Sequence, residues 1–330
     1  MLSRPALVAS LALACSVAVA PVARADNHAW AAAKSVLPGG MLVVGGADVN
    51  SVRASALFQK MWPALIAQSG APADVLDAVK TTCNVDALAS IDSVAVAVND
   101  GGKGAFVIAL KGLTQPQVED CITKLAASKA GKLAIAHTGQ IATYSGVGDK
   151  SFSVKWLEKS TFMVTTEPGD PSSYKAMTAG GLAKDKTFAP GLAAVKTSAT
   201  AWAVVNKQED LGTIKGKMML GYGDASVAGG TVSANLHVVM DSDATSAAAV
   251  AEAKKQIDDA MKSGQVPPML AGLIKALVIK TAGKEVVVSG QITETDLAML
   301  VTMITSGGGG GGSQTAPAPP PPPPPAPPKH

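Results

Sequence analysis

The chain has 330 residues, 47% hydrophobic and 16% charged, so it can bury a core of its own without metals or other staples. Lysine and arginine number 28 against 25 acidic residues, and setting aside Arg4, Arg24 and Lys329 in the two ends leaves 25 of each sign, with Arg53 the sole arginine. A neutral body with one guanidinium, five Phe, four Trp and three Tyr lacks both the basic field and the stacking platform that nucleic acid requires.

Residues 1–25 read as a secretory signal. Arg4 opens it, Pro5 to Val22 are almost continuously apolar, and Ala23-Arg24-Ala25 presents small residues at the two positions a signal peptidase reads. The expected mature start is Asp26. Two other fates are weighed. An uncleaved anchor would be about 18 residues long, short of the roughly 20 that a bilayer core needs. Acylation at Cys15 would follow a lipoprotein-like run, Ala12-Leu13-Ala14, in which the Leu sits one place too close to the Cys. No later stretch has the length of a membrane span. Export therefore points to the periplasm or outer surface of a bacterium, as no Asn-x-Ser/Thr sequon is present.

The body begins with Gly39-Gly40 and a first strand, MLVVGGA, followed by helices expected over Ser51–Gln68 and Ala73–Cys83. DSVAVAVND and GAFVIALKG alternate about Gly101-Gly102-Lys103-Gly104 as a hairpin. A helix is expected over Gln115–Ser128, then the strand pair KLAIAHTG and QIATYSG. Farther on, MMLGYGDAS and GTVSANLHVVMD form a hairpin about Ala228-Gly229-Gly230, and helices are expected over Thr245–Lys262 and Pro268–Leu277. LVIKTAG and KEVVVSGQI make another hairpin, and Thr295–Ile304 a last helix with Glu294 and Asp296 at its positive end. Both halves read strand, strand, helix, strand, strand. The expected fold is α+β: two pseudo-repeats (39–165 and 166–305) of mainly antiparallel sheet, with helices packed on one face. Residues 306–330, six glycines and then ten prolines between Ala316 and Pro328, form a tail outside the 26–305 domain. It is either a spacer, a ligand for an aromatic groove, or an unselected low-complexity end.

Cys83 recurs with Val75 and Val79 every four residues, and Cys121 shares a stripe with Val118, Ile122 and Leu125. Two inward-facing thiols in an exported chain predict a disulfide. A redox pair or metal ligands are the alternatives, but there is no Cys-x-x-Cys and no His within ten residues of either. The segment from Cys83 through these two strands to Cys121, with LVIKTAGKEVVVSGQITETDL, is similar to exported, uncharacterised bacterial proteins that carry a duplicated α+β domain and one disulfide. That resemblance implies the fold and no activity.

Catalytic signatures are sparse. Gly146-Val147-Gly148 and Gly221-Tyr222-Gly223 begin like dinucleotide turns but have Ser151 and Ser226 at the third glycine position. Asp241-Ser242-Asp243-Ala244-Thr245 after the strand LHVVM resembles the first motif of haloacid-dehalogenase-like phosphatases, where the first Asp attacks phosphorus and the second serves as acid and base. Its competing reading is a strand end with a helix N-cap. His28, His137 and His237 are scattered, and no metal or organic cofactor is implied. The functional expectation is a non-enzymatic envelope protein that binds or scaffolds an unknown envelope partner. Its rivals are a carrier of a hydrophobic ligand and a hydrolase at Asp241/Asp243. An apolar cavity of several hundred Å³ between sheet and helices favours the carrier; solid packing favours the scaffold.

Overall fold

A computed structural model describes residues 26–69, 73–128, 133–146, 151–212, 214–264, 266 and 268–307. Residues 1–25, where a secretory signal with Cys15 is expected, and the residues beyond Gly307 lie outside the described residues.

Helix α1 (His28–Val36) is capped by the Asn27 side chain, which accepts from the Trp30 amide at 2.8 Å. Strand β1 (Val43–Asp48) is followed by α2 (Val49–Ala54), α3 (Ala56–Ser69) and α4 (Ala73–Cys83). Next come β2 (Ile91–Val98), β3 (Gly104–Leu110), α5 (Gln115–Ser128), β4 (Ala134–Thr138), β5 (Ile141–Ser145), β6 (Phe152–Glu158) and β7 (Thr161–Thr165). After α6 (Pro171–Met177) and α7 (Ala189–Ala194) run β8 (Ala201–Val205), the short β9 (Glu209–Asp210), β10 (Lys217–Ala228) and β11 (Thr231–Met240). The chain continues with α8 (Asp243–Lys262), α9 (Pro268–Ala276), β12 (Val278–Ala282), β13 (Glu285–Thr293) and α10 (Glu294–Gly307).

The described strands make one antiparallel 13-stranded sheet in the order β12-β13-β11-β10-β8-β1-β2-β3-β7-β6-β5-β4, with β9 beside β10. The α+β class and the antiparallel sheet are as expected from sequence. Helices, however, occupy both faces. On one face Val44, Ala95, Ala97, Val204, Leu220 and Tyr222 share a buried cluster with Ala29, Trp30 and Ala33 of α1. On the other, α5 sends Val118 and Ile122 onto Trp156 and Tyr144, and α8 sends Val250 onto Met240 and Val286. A sheet this wide has two apolar faces to cover, so helices confined to one of them would leave the other in water.

Both halves start from a central strand, β1 or β8, followed outward by a hairpin, β2–β3 or β10–β11. Their closures differ. In the second half β13 pairs directly with β11, whereas β3 pairs with β7, and the β4–β5 pair is displaced to the far edge. The helix expected over 51–68 is two helices. Ser55 is extended, and its hydroxyl both donates to the Val52 carbonyl and accepts from the Phe58 amide, ending one helix and starting the next. Buried Glu294 completes that second start by accepting from the Leu57 amide at 2.6 Å. Cys83 and Cys121 are bonded, with their Cα atoms 5.3 Å apart, and tie α4 to α5.

Candidate functional site

Paired residues of an antiparallel register point to the same face, so the sheet can be read row by row. One row runs Val96, Gly45, Ala203, Gly223, Leu236, Val288 across β2, β1, β8, β10, β11 and β13. Its neighbour runs Val94, Ala47, Ala201, Ala225, Ala234, Gly290 across the same strands. In these two rows the four middle strands carry glycine or alanine at every position except Leu236. The alternate rows, facing the other way, hold Val44, Val204, Trp202 and Tyr222, all buried against α1 or its neighbours. Bulk is thus on one side of the sheet and space on the other.

That space is an apolar trough of about 770 Å³, floored by these rows. Leu273, Ile274 and Leu277 of α9 and its exit form one wall, and Leu297 of α10 closes an end. Gly290 lets the wall approach, because a Cβ there would lie 2.7 Å from Leu277 Cδ2. Asp224, Asn235 and Gln291 also border it, but by register their side chains belong to the opposite face, where Asn235 Nδ2 donates to Asp224 Oδ1 at 3.4 Å. The floor therefore offers aliphatic side chains and no side-chain hydrogen-bonding partner. Such a surface can desolvate hydrocarbon and cannot hold a charge. Phe106, 47% exposed, extends the apolar surface beyond Val96, with which it is paired.

A smaller cavity of about 240 Å³ sits where β1, β2 and β8 meet the start of α1. Its acidic groups are all engaged. Asp26 accepts from Lys34 and from the Thr197 hydroxyl at 2.6 Å. Burial raises its pKa, but those two donors outweigh it and hold the carboxyl below its usual range. Asp48 caps α2 through the Ser51 amide, and Asp92 is bound by His28 at 3.0 Å and by Asn50 at 2.8 Å. This is a capping network. No group of three metal-ligating side chains occurs among the described residues.

The Asp241 motif takes its place as a helix start. Asp241 Oδ1 accepts from the Thr245 hydroxyl at 2.6 Å and Oδ2 from the Lys217 amide at 3.0 Å, and the Thr245 bond in particular lowers its pKa. Ser242 is the N-cap of α8, and Asp243 sits in its first turn. Lys254 and Lys255 lie farther along that helix, about 16 Å from Asp243 at 1.5 Å per residue, so the structure does not assemble the lysine with the two aspartates. His137 and His237 are equally separate. His137 lies on edge strand β4 beside Glu119, and His237 on β11 stacks on Tyr222 at 4.7 Å while its Nδ1 lies 3.0 Å from Glu285. Nine strand spacings, about 40 Å, divide them.

Of the site residues singled out from sequence, only the cysteines come together. The trough was not anticipated at its true place. Its signal was Gly45-Gly46 in the middle of a strand, since strand-interior glycine marks a close approach or an open surface.

No helix among the described residues is long and apolar enough to cross a membrane. No protein-family model matches the chain, and no curated protein matches it. Among solved structures the chain is similar to TP0453 in three crystal forms. Form III is 10% identical with a TM-score of 0.47, covering 85% of this chain and 99% of that one. Form I is 10% identical with a TM-score of 0.45 over 86% and 98%, and form IV is 12% identical with a TM-score of 0.45 over 83% and 99%. A likeness at this level carries no argument about ligand or activity.

Proposed function

We propose that the protein is an exported, non-catalytic carrier of the bacterial envelope that holds the hydrocarbon part of an apolar ligand in the trough. The observation that carries this reading is a cavity of about 770 Å³ whose floor is aliphatic, with glycine and alanine along most of its two central rows. The volume lies within the range of sites that enclose small molecules. A scaffold working through its outer surface has no need of such a space beside an otherwise packed sheet. The Cys83–Cys121 bond supports export, because disulfides persist in oxidising compartments.

The test is titration of the full chain with a fluorescent fatty acid, alongside native mass spectrometry for lipid that co-purifies. Saturable binding to the wild type is expected, weakened at least tenfold in Ala203→Phe, which puts a ring on the floor. Ala234→Phe repeats the experiment at a position already exposed to solvent, where the larger side chain leaves the fold undisturbed. Absence of saturable binding, or binding as tight as wild type in both folded variants, would sink the carrier reading.

A further inference from the structure

The two rows that floor the trough differ in length. From β1 outward, one carries Gly45, Ala203 and Gly223 and is then blocked by Leu236 on β11. The other carries Ala47, Ala201, Ala225 and Ala234 and runs one strand farther, to Gly290, whose open side is taken by Leu277. Branched pairs rim the rows, Val43 with Val205 on one side and Val232 with Ile292 on the other, and all four line the space. The floor is thus two parallel lanes about 6.7 Å apart, closed toward α9 and unequal by one strand spacing, about 4.8 Å. Their opposite end runs out toward Phe106, which is 47% exposed. Volume sets how much hydrocarbon the lanes take. A cavity of about 150 Å³ holds benzene, or about 25 Å³ per carbon. At that ratio 770 Å³ holds about 30 carbons, twice the content of one myristoyl or palmitoyl chain.

We propose that the ligand is a diacyl lipid, with one chain in each lane and its headgroup left in water at the Phe106 end. The proposal rests on the carrier reading and adds to it the number of chains. Carbons in contact lie about 4 Å apart, so two chains fit side by side at the spacing of the lanes. The headgroup stays outside because the floor offers it no hydrogen-bonding side chain. A rigid fused-ring lipid of similar carbon content is the competing occupant. Such a plate would stop at Leu236 and leave the end of the longer lane empty.

The experiment is native mass spectrometry of the full chain with palmitic acid, dipalmitoyl phosphatidylglycerol, dipalmitoylglycerol or cholesterol at saturation. Two palmitates per chain are expected, or one diacyl lipid, which displaces both. Dipalmitoylglycerol, without a phosphate, should bind within about threefold of the phosphatidylglycerol. Leu236→Ala removes the block in the shorter lane. It should favour a phosphatidylglycerol with one chain about four carbons longer, one strand spacing, by at least about fourfold over wild type, the worth of one newly buried methylene. Saturation at a single palmitate, or tighter binding of cholesterol than of the diacyl lipids, overturns the two-chain proposal and leaves the carrier reading standing. An unchanged chain-length preference in Leu236→Ala overturns the lanes, and a requirement for the phosphate overturns the placement of the headgroup. Binding of none of the four lipids overturns the carrier reading, and this proposal with it.

Discussion

The Cys83–Cys121 bond closes a segment with a sequence separation of 38, and its removal has a calculable consequence. On the chain-entropy model the bond limits the unfolded ensemble by about 4 kcal/mol. For a chain of this size 1 kcal/mol moves the melting temperature by about 2 °C, so Cys83→Ser with Cys121→Ser should melt about 8 °C lower. The structure sets that figure as a ceiling. Helix α4 packs mainly on α5, while α5 is anchored independently by Val118 and Ile122 on the Tyr144–Trp156 cluster. Without the bond α4 can leave first, and the rest of the sheet need not follow. Hydrogen exchange should accordingly show amides of Ala73–Cys83 losing protection before those of β5 and β6. Calorimetry and exchange on the double variant make the check. A melting temperature within about 1 °C of wild type, with α4 still protected, would refute the reasoning.

Other consequences are as specific. Burial raises Tyr144 and Tyr222 to a pKa of about 12, helped in Tyr222 by the Glu285 hydrogen bond, and burial raises Tyr174 too. The unfolded phenol ionises near 10.0, so this contribution to stability is intact below pH 10 and lost as pH climbs toward 12. Phenolate absorbance should therefore appear only together with unfolding; a reversible rise near pH 10 in the folded protein would contradict it. Ser242→Ala removes the cap of the 20-residue α8, whose Thr245 amide donates to it at 3.1 Å, and should cost about 1 kcal/mol in urea unfolding. Ser242→Gly should cost only a few tenths. Gly46→Ala would place a Cβ 2.9 Å from Trp202 Nε1, inside the Trp30–Trp202 contact. A loss of about 2 kcal/mol is expected, and an unmoved urea midpoint would show that the indole yields freely.

Local chemistry made much of this fold legible. The helix over Gln115–Ser128 has the predicted bounds because its apolar stripe and flanking turn signals agree. The cysteine pairing followed from two helical stripes. What escaped was non-local. The β6–β7 hairpin, SFSVKWLEKSTFMVTT, has ordinary strand composition, yet it separates β3 from the β4–β5 pair that precedes it in the chain. Strand β8, AWAVV, is only five residues long, and nothing in it announces a place beside β1 at the centre of the sheet. The trough depends on that adjacency. Gly45 and Ala203 are 158 positions apart in the chain, and only the cross-strand register makes them one floor. Side-chain period reports which face a residue takes, but not which strand will stand next to it.

The hydrogen bond from the Leu57 amide to the Glu294 carboxylate spans 237 residues. During synthesis at about 5–20 residues per second, helix α3 must wait on the order of tens of seconds for the group that completes its first turn. Until then the Leu57 amide has only water to satisfy it, while Ser55 already holds the Phe58 amide. The nascent chain thus completes this helix start only after its last helix has emerged. The β2–β3 and β6–β7 hairpins, whose partners are neighbours in the chain, face no such delay, so the two ends of this molecule differ in when they can be finished.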